Sequence, residues 1–181
     1  MTLNIRSKIA RTVLGYFMLH QNAESYVNGL ARRLSLDSGN LTRKLIELEK
    51  EGILKSRWQG SERYYSLNTS FPLLKEYRRI ILKTVGFEHA LRQSLAAIQG
   101  LKKAVVFGSY ARDKMDAASD IDLLVIGQHN VVDLHRAIAT IQKTADRHLN
   151  VVSMSEEEYR RKKNKDLFLR SIEQKPKIKI I

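Results

Sequence analysis

A chain of 181 residues, 43% of them hydrophobic, has the apolar material for one medium or two small packed cores, which excludes a wholly disordered chain. It has no cysteine, so disulfides, thiolate nucleophiles, iron–sulfur ligation and thiolate zinc sites are excluded together, as suits a reducing, cytoplasmic setting. Lys and Arg number 32 against 19 Asp and Glu, a formal charge of +13, so polyanions are the first class of partner to consider.

Near the start, the apolar stretch Val13 to Leu19 is far shorter than the roughly 20 residues of a membrane span, and no membrane partner is expected. Ile9, Val13, Phe17 and His20 fall on one helical face, so residues 6–20 are read as an amphipathic helix rather than an export signal, despite Arg6, Lys8 and Arg11. A short helix follows to Leu34, with Asn28 as its expected cap, then a turn over Ser35 to Ser38. Asn40 to Glu51 predict a further helix closed by Gly52, in which Leu41, Leu45 and Leu48 share the buried face and Asn40, Arg43, Lys44 and Glu47 lie elsewhere. Two β-rich runs, Ile53 to Trp58 and Arg63 to Asn68, flank Gln59-Gly60-Ser61-Glu62 and predict a hairpin.

That order of helices and hairpin, with EGIL after the leucine-faced helix, a basic hairpin and YYSLN, resembles a winged helix-turn-helix domain over about residues 5–68. The resemblance implies double-stranded DNA as partner and transcription regulation as role. The helix from Asn40 would enter the major groove, and a wing carrying Arg57, Ser61 and Arg63 would lie on the backbone or minor groove. Asn40 has the chemistry for adenine and Arg43 for guanine, whereas Lys44, Lys55 and Arg57 suit phosphates. Without the resemblance, the same charges are an ordinary solvated face.

This domain is set at residues 1–70, because Asn68-Thr69-Ser70 before Pro72 is a junction. Residues 71–98 place Leu73, Leu74, Tyr77, Ile80, Ile81 and Val85 at helical spacing, with a break at Gly86. They are read as a helical connector, with a homodimer seam as the second reading.

From Lys102 the chain runs KKAVVFGSYARDKMDAASDIDLLVIG. Ala104 to Phe107 predict a buried strand, Gly108-Ser109 a tight turn, Tyr110 to Asp113 a helix start, and Asp120 to Ile126 a second strand. The turn offers backbone N–H groups and the Ser109 hydroxyl to a phosphate. Asp120 and Asp122 are two apart on a strand, so both carboxylates emerge on one face. With nothing basic from Ser119 to Gly127, the pair calls for a divalent cation on oxygen ligands, Mg2+ or Mn2+. Phosphate turn and acid pair together are the apparatus of phosphoryl or nucleotidyl transfer from a nucleoside triphosphate.

GSYAR followed by SDIDLLV resembles the signature of the polymerase β-type nucleotidyltransferase superfamily, in particular its minimal members, across about residues 87–181. The resemblance implies an α/β domain with a mixed sheet, set at residues 99–181, and hence an α+β protein overall. It implies Gly108, Ser109 and Arg112 as nucleotide-binding residues, Asp120 and Asp122 as catalytic metal ligands, and transfer of NMP from an NTP to a hydroxyl with release of pyrophosphate. Two positions depart from the pattern. Asp113 stands where the family has Gly, and Asn150, on a strand expected over Leu149 to Met154, stands at the third carboxylate. An amide cannot act as a general base and ligates Mg2+ weakly, so whether the chain is an enzyme is left open.

His148, two before Asn150, shares its face but is read as an ordinary, partly exposed residue, and His20, His89, His129 and His135 show no metal-ligand pairing. Glu156, Glu157 and Glu158 after Ser155 are read as a helix-capping cluster, Arg160 to Lys165 as a solvated or phosphate-facing surface, and KPKIKII as carrying a last strand. The leading expectation is a DNA-binding regulator with a nucleotide- and metal-binding nucleotidyltransferase domain. The alternatives are an active enzyme modifying a small molecule or a partner protein, as in toxin–antitoxin modules, and a catalytically dead interaction adaptor.

Overall fold

Ser7 and Asp37 each precede apolar residues at helical spacing, and each caps a helix with its side-chain oxygen, on the N–H of Ala10 and of Asn40. In the computed structural model, which describes residues 7–116 and 119–181, the chain divides at His89/Ala90 into two compact units. Among the described residues no helix is long and apolar enough to cross a membrane.

The first unit runs α1 (Lys8–Leu19), β1 (Glu24–Tyr26), α2 (Val27–Leu34), α3 (Ser38–Lys50), β2 (Leu54–Gln59), β3 (Glu62–Leu67) and α4 (Leu74–Thr84). Its core joins Val13, Leu14 and Phe17 of α1, Leu30 of α2, and Leu41, Leu45 and Leu48 of α3, the last three being the leucine face expected from the sequence. Gly52, past the end of α3, has φ +80°, the left-handed conformation that closes helices. The predicted hairpin forms as β2 and β3, with Gln59 opposite Glu62 and Gly60-Ser61 as its loop.

Three local expectations are corrected. Asn28 is not the cap of α2: Tyr26 holds that position without a side-chain bond, because its backbone is already paired with Tyr64 and the chain turns from strand directly into helix. The helix expected from Asn40 begins at Ser38, since Asp37 supplies the cap. The unforeseen β1 completes an antiparallel sheet of order β1-β3-β2; three residues are too few for an alternation pattern to show, and their partners lie about 40 positions away, Ser25 opposite Tyr65. Within this unit α4 is tied to α1 by Arg78 Nε donating to the Met18 carbonyl at 2.9 Å, and it ends at the expected break, where Gly86 N donates to the Ile81 carbonyl.

After α5 (Phe87–Ala96) come β4 (Leu101–Phe107), α6 (Gly108–Ala111), β5 (Ile121–Gly127), α7 (Val131–Ala145), β6 (Leu149–Met154), α8 (Glu156–Lys162), α9 (Leu167–Gln174) and β7 (Ile178–Lys179). The sheet order is β6-β5-β4-β7, with β5 and β6 parallel across the α7 crossover and the other pairs antiparallel, a mixed sheet. β5 is buried almost throughout, as a strand covered on both faces must be. On one face Val105, Leu124 and Ile126 pack with Leu169 and Ile172 of α9. Ser155 caps α8 by accepting from Glu158 N, and the basic run beyond it forms exposed i,i+4 pairs, Arg160–Glu156 and Lys162–Glu158.

The α9 face carries a polar staple. Glu173 accepts from Lys177, from Tyr159 and from Lys103, and these donors hold its carboxyl down at about 2. A carboxylate whose folded value is depressed adds stability above its unfolded value near 4.5 and loses that contribution as pH falls towards 2. Urea unfolding of wild type should therefore weaken between pH 5 and pH 2.5 more steeply than that of Glu173→Gln, and equal slopes would mean that the staple does not matter.

Candidate functional site

Strand register aligns the candidate residues before any side chain is considered. Phe107 of β4 lies opposite Asp122 of β5, and Asp122 opposite Asn150 of β6, so one row crosses three strands. One step earlier Ile121 N donates to the His148 carbonyl at 3.0 Å, which brings His148 beside Asp120. On β5, Asp122 is the next residue along the face that carries Leu124 and Ile126, so it stands where the apolar core gives way to the open end of the sheet.

Gly108 follows directly on β4 with φ +71°, and a Cβ there would collide with Asp122 Oδ2 and lie 3.0 Å from its Cγ. Any other residue would push the carboxylate away, and the left-handed conformation independently favours glycine. The Gly108-Ser109 turn and the carboxylate are thus brought together, with Ser109 in the first turn of α6 and Arg112 as its exposed C-terminal cap.

The two acids are held differently. Asp122 Oδ2 faces Gly108, while its Oδ1 accepts from Asn150 Nδ2 at 3.2 Å. Asp120 Oδ2 lies 3.3 Å from His148 Nδ1, both side chains being more than half exposed, so this pair is weak. The approach to β5 is fixed by Ser119 Oγ donating to Asp116 Oδ1 at 2.8 Å and by Arg147 Nη1 donating to the carbonyls of Asp116 and Ser119. Asp113 occupies a left-handed position, φ +56°, which accounts physically for a glycine being usual there and for Asp being among the residues that replace it.

Among the described residues no three His, Asp or Glu side chains are grouped to hold a metal. The donor set is two carboxylates and a neutral amide. By the chemistry of its donors that set fits one hard divalent cation, whose remaining positions would fall to water or to a ligand's oxygens. It does not fit a site that needs a third carboxylate.

In the first unit, four of the side chains expected to face DNA hold partners within the unit. Arg43 donates to Asn40 Oδ1, and Lys44 pairs with Glu47. Arg57 binds Glu24 with both Nε, at 2.7 Å, and Nη2, holding that carboxyl below its usual range, and lies over the Tyr64 ring. Arg63 donates to Ser56 and to Glu49 Oε2 at 2.6 Å, tying the hairpin to α3. Lys55 is exposed, and Ser61 sits at the hairpin tip. Trp58, 67% exposed beside Arg63 on the hairpin, is a surface aromatic that the sequence reading did not single out, since alternation in a two-sided polar strand does not say which face is covered.

A family model for the nucleotidyltransferase domain matches residues 89–180. Two solved structures are similar over half the chain. One is a toxin–antitoxin structure with AMP-PNP, 16% identical, TM-score 0.39, covering 52% of this chain and 72% of the other. The second is a candidate nucleotidyltransferase from Sulfolobus solfataricus, 20% identical, TM-score 0.31, covering 51% and 73%. No curated protein matches the chain.

The glycine and the aspartate next to the turn make opposite predictions. Gly108→Ala should lose about 1–3 kcal/mol of stability by urea denaturation, through strain and displacement of Asp122. Asp113→Gly, relieving a left-handed Asp, should cost nothing and gain up to about 1 kcal/mol. A neutral Gly108→Ala would show that the carboxylate does not need the glycine.

Proposed function

Because the chain belongs, over residues 89–180, to the nucleotidyltransferase domain family, we propose that its second unit binds a nucleoside triphosphate with one divalent cation, Mg2+ or Mn2+, on Gly108, Ser109, Arg112, Asp120 and Asp122. The observation that carries this reading is the seating of the Asp122 carboxylate against Gly108, which joins an anion-accepting turn to a cation-accepting acid. Ser109 and Arg112 hold the phosphates, and Asp120 and Asp122 hold the cation, which when bound neutralises charge on the phosphates. Asn150 donates a hydrogen bond to Asp122 and cannot take a proton from an acceptor hydroxyl, so NMP transfer with release of pyrophosphate is slow in this chain and nucleotide binding is its principal activity.

ATP with Mn2+ should raise the melting temperature by several degrees, because a ligand that binds only the folded state stabilises it by mass action. The double variant Asp120→Ala, Asp122→Ala should abolish the metal-dependent part of the shift. Asn150→Asp replaces a hydrogen bond by like-charge repulsion, so it should melt earlier than wild type in EDTA, shift further with Mn2+ and transfer a labelled nucleotide faster. Absence of any metal-dependent shift in wild type would overturn the reading.

The first unit is read as a winged helix-turn-helix domain that binds duplex DNA in transcription control. Support comes from the helix order, the polar face of α3 beside a two-residue hairpin and the basic charge. The ion pair on Arg57 is partly solvent-facing and weak, so it gives way readily to phosphate, whereas Lys44 is mostly covered and has only its Glu47 partner exposed. The logarithm of DNA affinity should fall linearly with the logarithm of salt, by about 0.9 per phosphate neutralised. Binding that ignored salt, or survived Arg43→Ala with Lys44→Ala and Arg57→Ala, would remove DNA as the partner.

A further inference from the structure

Gly108 has a second neighbourhood besides Asp122. With Phe107 and Arg112 it lines a cleft of about 170 Å3 whose other wall includes Ser171, Lys175 and Pro176, from the end of α9. This is below the roughly 300–1,000 Å3 of pockets that take whole small molecules, and suits a fragment the size of a diphosphate. Two cations and no carboxylate line it.

Lys175 comes to the cleft for a local reason. Pro176 disfavours helical geometry in the residue before it, so α9 stops at Gln174 and Lys175 is extended, at φ −96° and ψ 162°. Lys177, two residues on, is held by Glu173 at 2.6 Å and belongs to the polar staple. Of these two lysines, only Lys175 lines the cleft.

We propose that Lys175, together with Arg112, binds the terminal phosphates of the polyphosphate whose inner end lies at Gly108 and Asp122, and so makes the site discriminate triphosphates from monophosphates. The inference rests on the nucleotide reading above. Gly108 is the hinge of the assignment, since it touches both the carboxylate and the cleft: a chain of phosphates passing it has an acid at one end and two cationic side chains at the other.

The test is calorimetric titration of wild type, Lys175→Ala, Lys175→Arg and Lys143→Ala with ATP, AMP and inorganic tripolyphosphate, each in Mn2+. Lys175→Ala should bind ATP and tripolyphosphate about tenfold or more weakly than wild type, as expected for loss of one charge-assisted contact, and AMP unchanged. Lys175→Arg should retain most of the affinity, and Lys143→Ala, a charge removed from α7, should behave as wild type. Equal losses in Lys175→Ala and Lys143→Ala would reduce the effect to net charge and overturn the proposal, as would a Lys175→Ala variant that still prefers ATP over AMP by the wild-type ratio. A wild type that binds neither ATP nor tripolyphosphate overturns the nucleotide reading itself, whereas one that binds ATP with no contribution from Lys175 overturns this inference alone.

Discussion

A carboxylate resting on a glycine Cα is the constraint from which the second unit's chemistry follows. Asp122 Oδ2 occupies the volume that any Cβ at position 108 would need, and Gly108 is at the same time the residue at which β4 turns into α6. One small residue therefore does three things. It permits a left-handed turn, it lets β4 pass straight into α6, and it lets an acid approach that turn closely. Enlarging it would separate elements that lie far apart in the chain and act only together.

The rest of the site is a product of strand register. Parallel pairing of β5 with β6 sets Asp120 beside His148 and Asp122 beside Asn150, and a slip of one residue would exchange both partners and turn the acids towards the opposite face. What distinguishes this chain is the chemistry placed in those slots. The Asn150 amide donates to one oxygen of Asp122, whereas a carboxylate in that slot would repel it unless a cation lay between them.

Much of this was legible in the residues, because the governing signals are local. The leucine face of α3, the break at Gly86 and the antiparallel hairpin each depend on periodicity or turn chemistry within about a dozen positions. The alternation read at Asp120 and Asp122 is a local signal of the same kind, though β5 itself begins only at Ile121. Cap positions were less legible: Asn28 has the side chain of a cap, but a paired strand one residue before α2 fixes where the helix begins. β1 was invisible because its pairing is made across the chain. The tie of Arg57 to Glu24 was invisible for the same reason, so a guanidinium that reads as a phosphate contact in sequence sits in a carboxylate's grip in the fold. Lys175 carried a local signal, the proline after it, whose meaning depends on a cleft formed by residues some 65 positions earlier.

The α7 crossover also has a temporal consequence. Asp122 meets Asn150 across 28 positions, and α7 lies within that connection. Closing such a connection is entropically unfavourable until the sheet rewards it, and parallel pairing is among the slower events of folding. During synthesis the turn at Gly108 emerges early, yet its acid neighbour gains its partner only when β6 has been made. The row from Phe107 through Asp122 to Asn150 is thus complete only once β6 has been made.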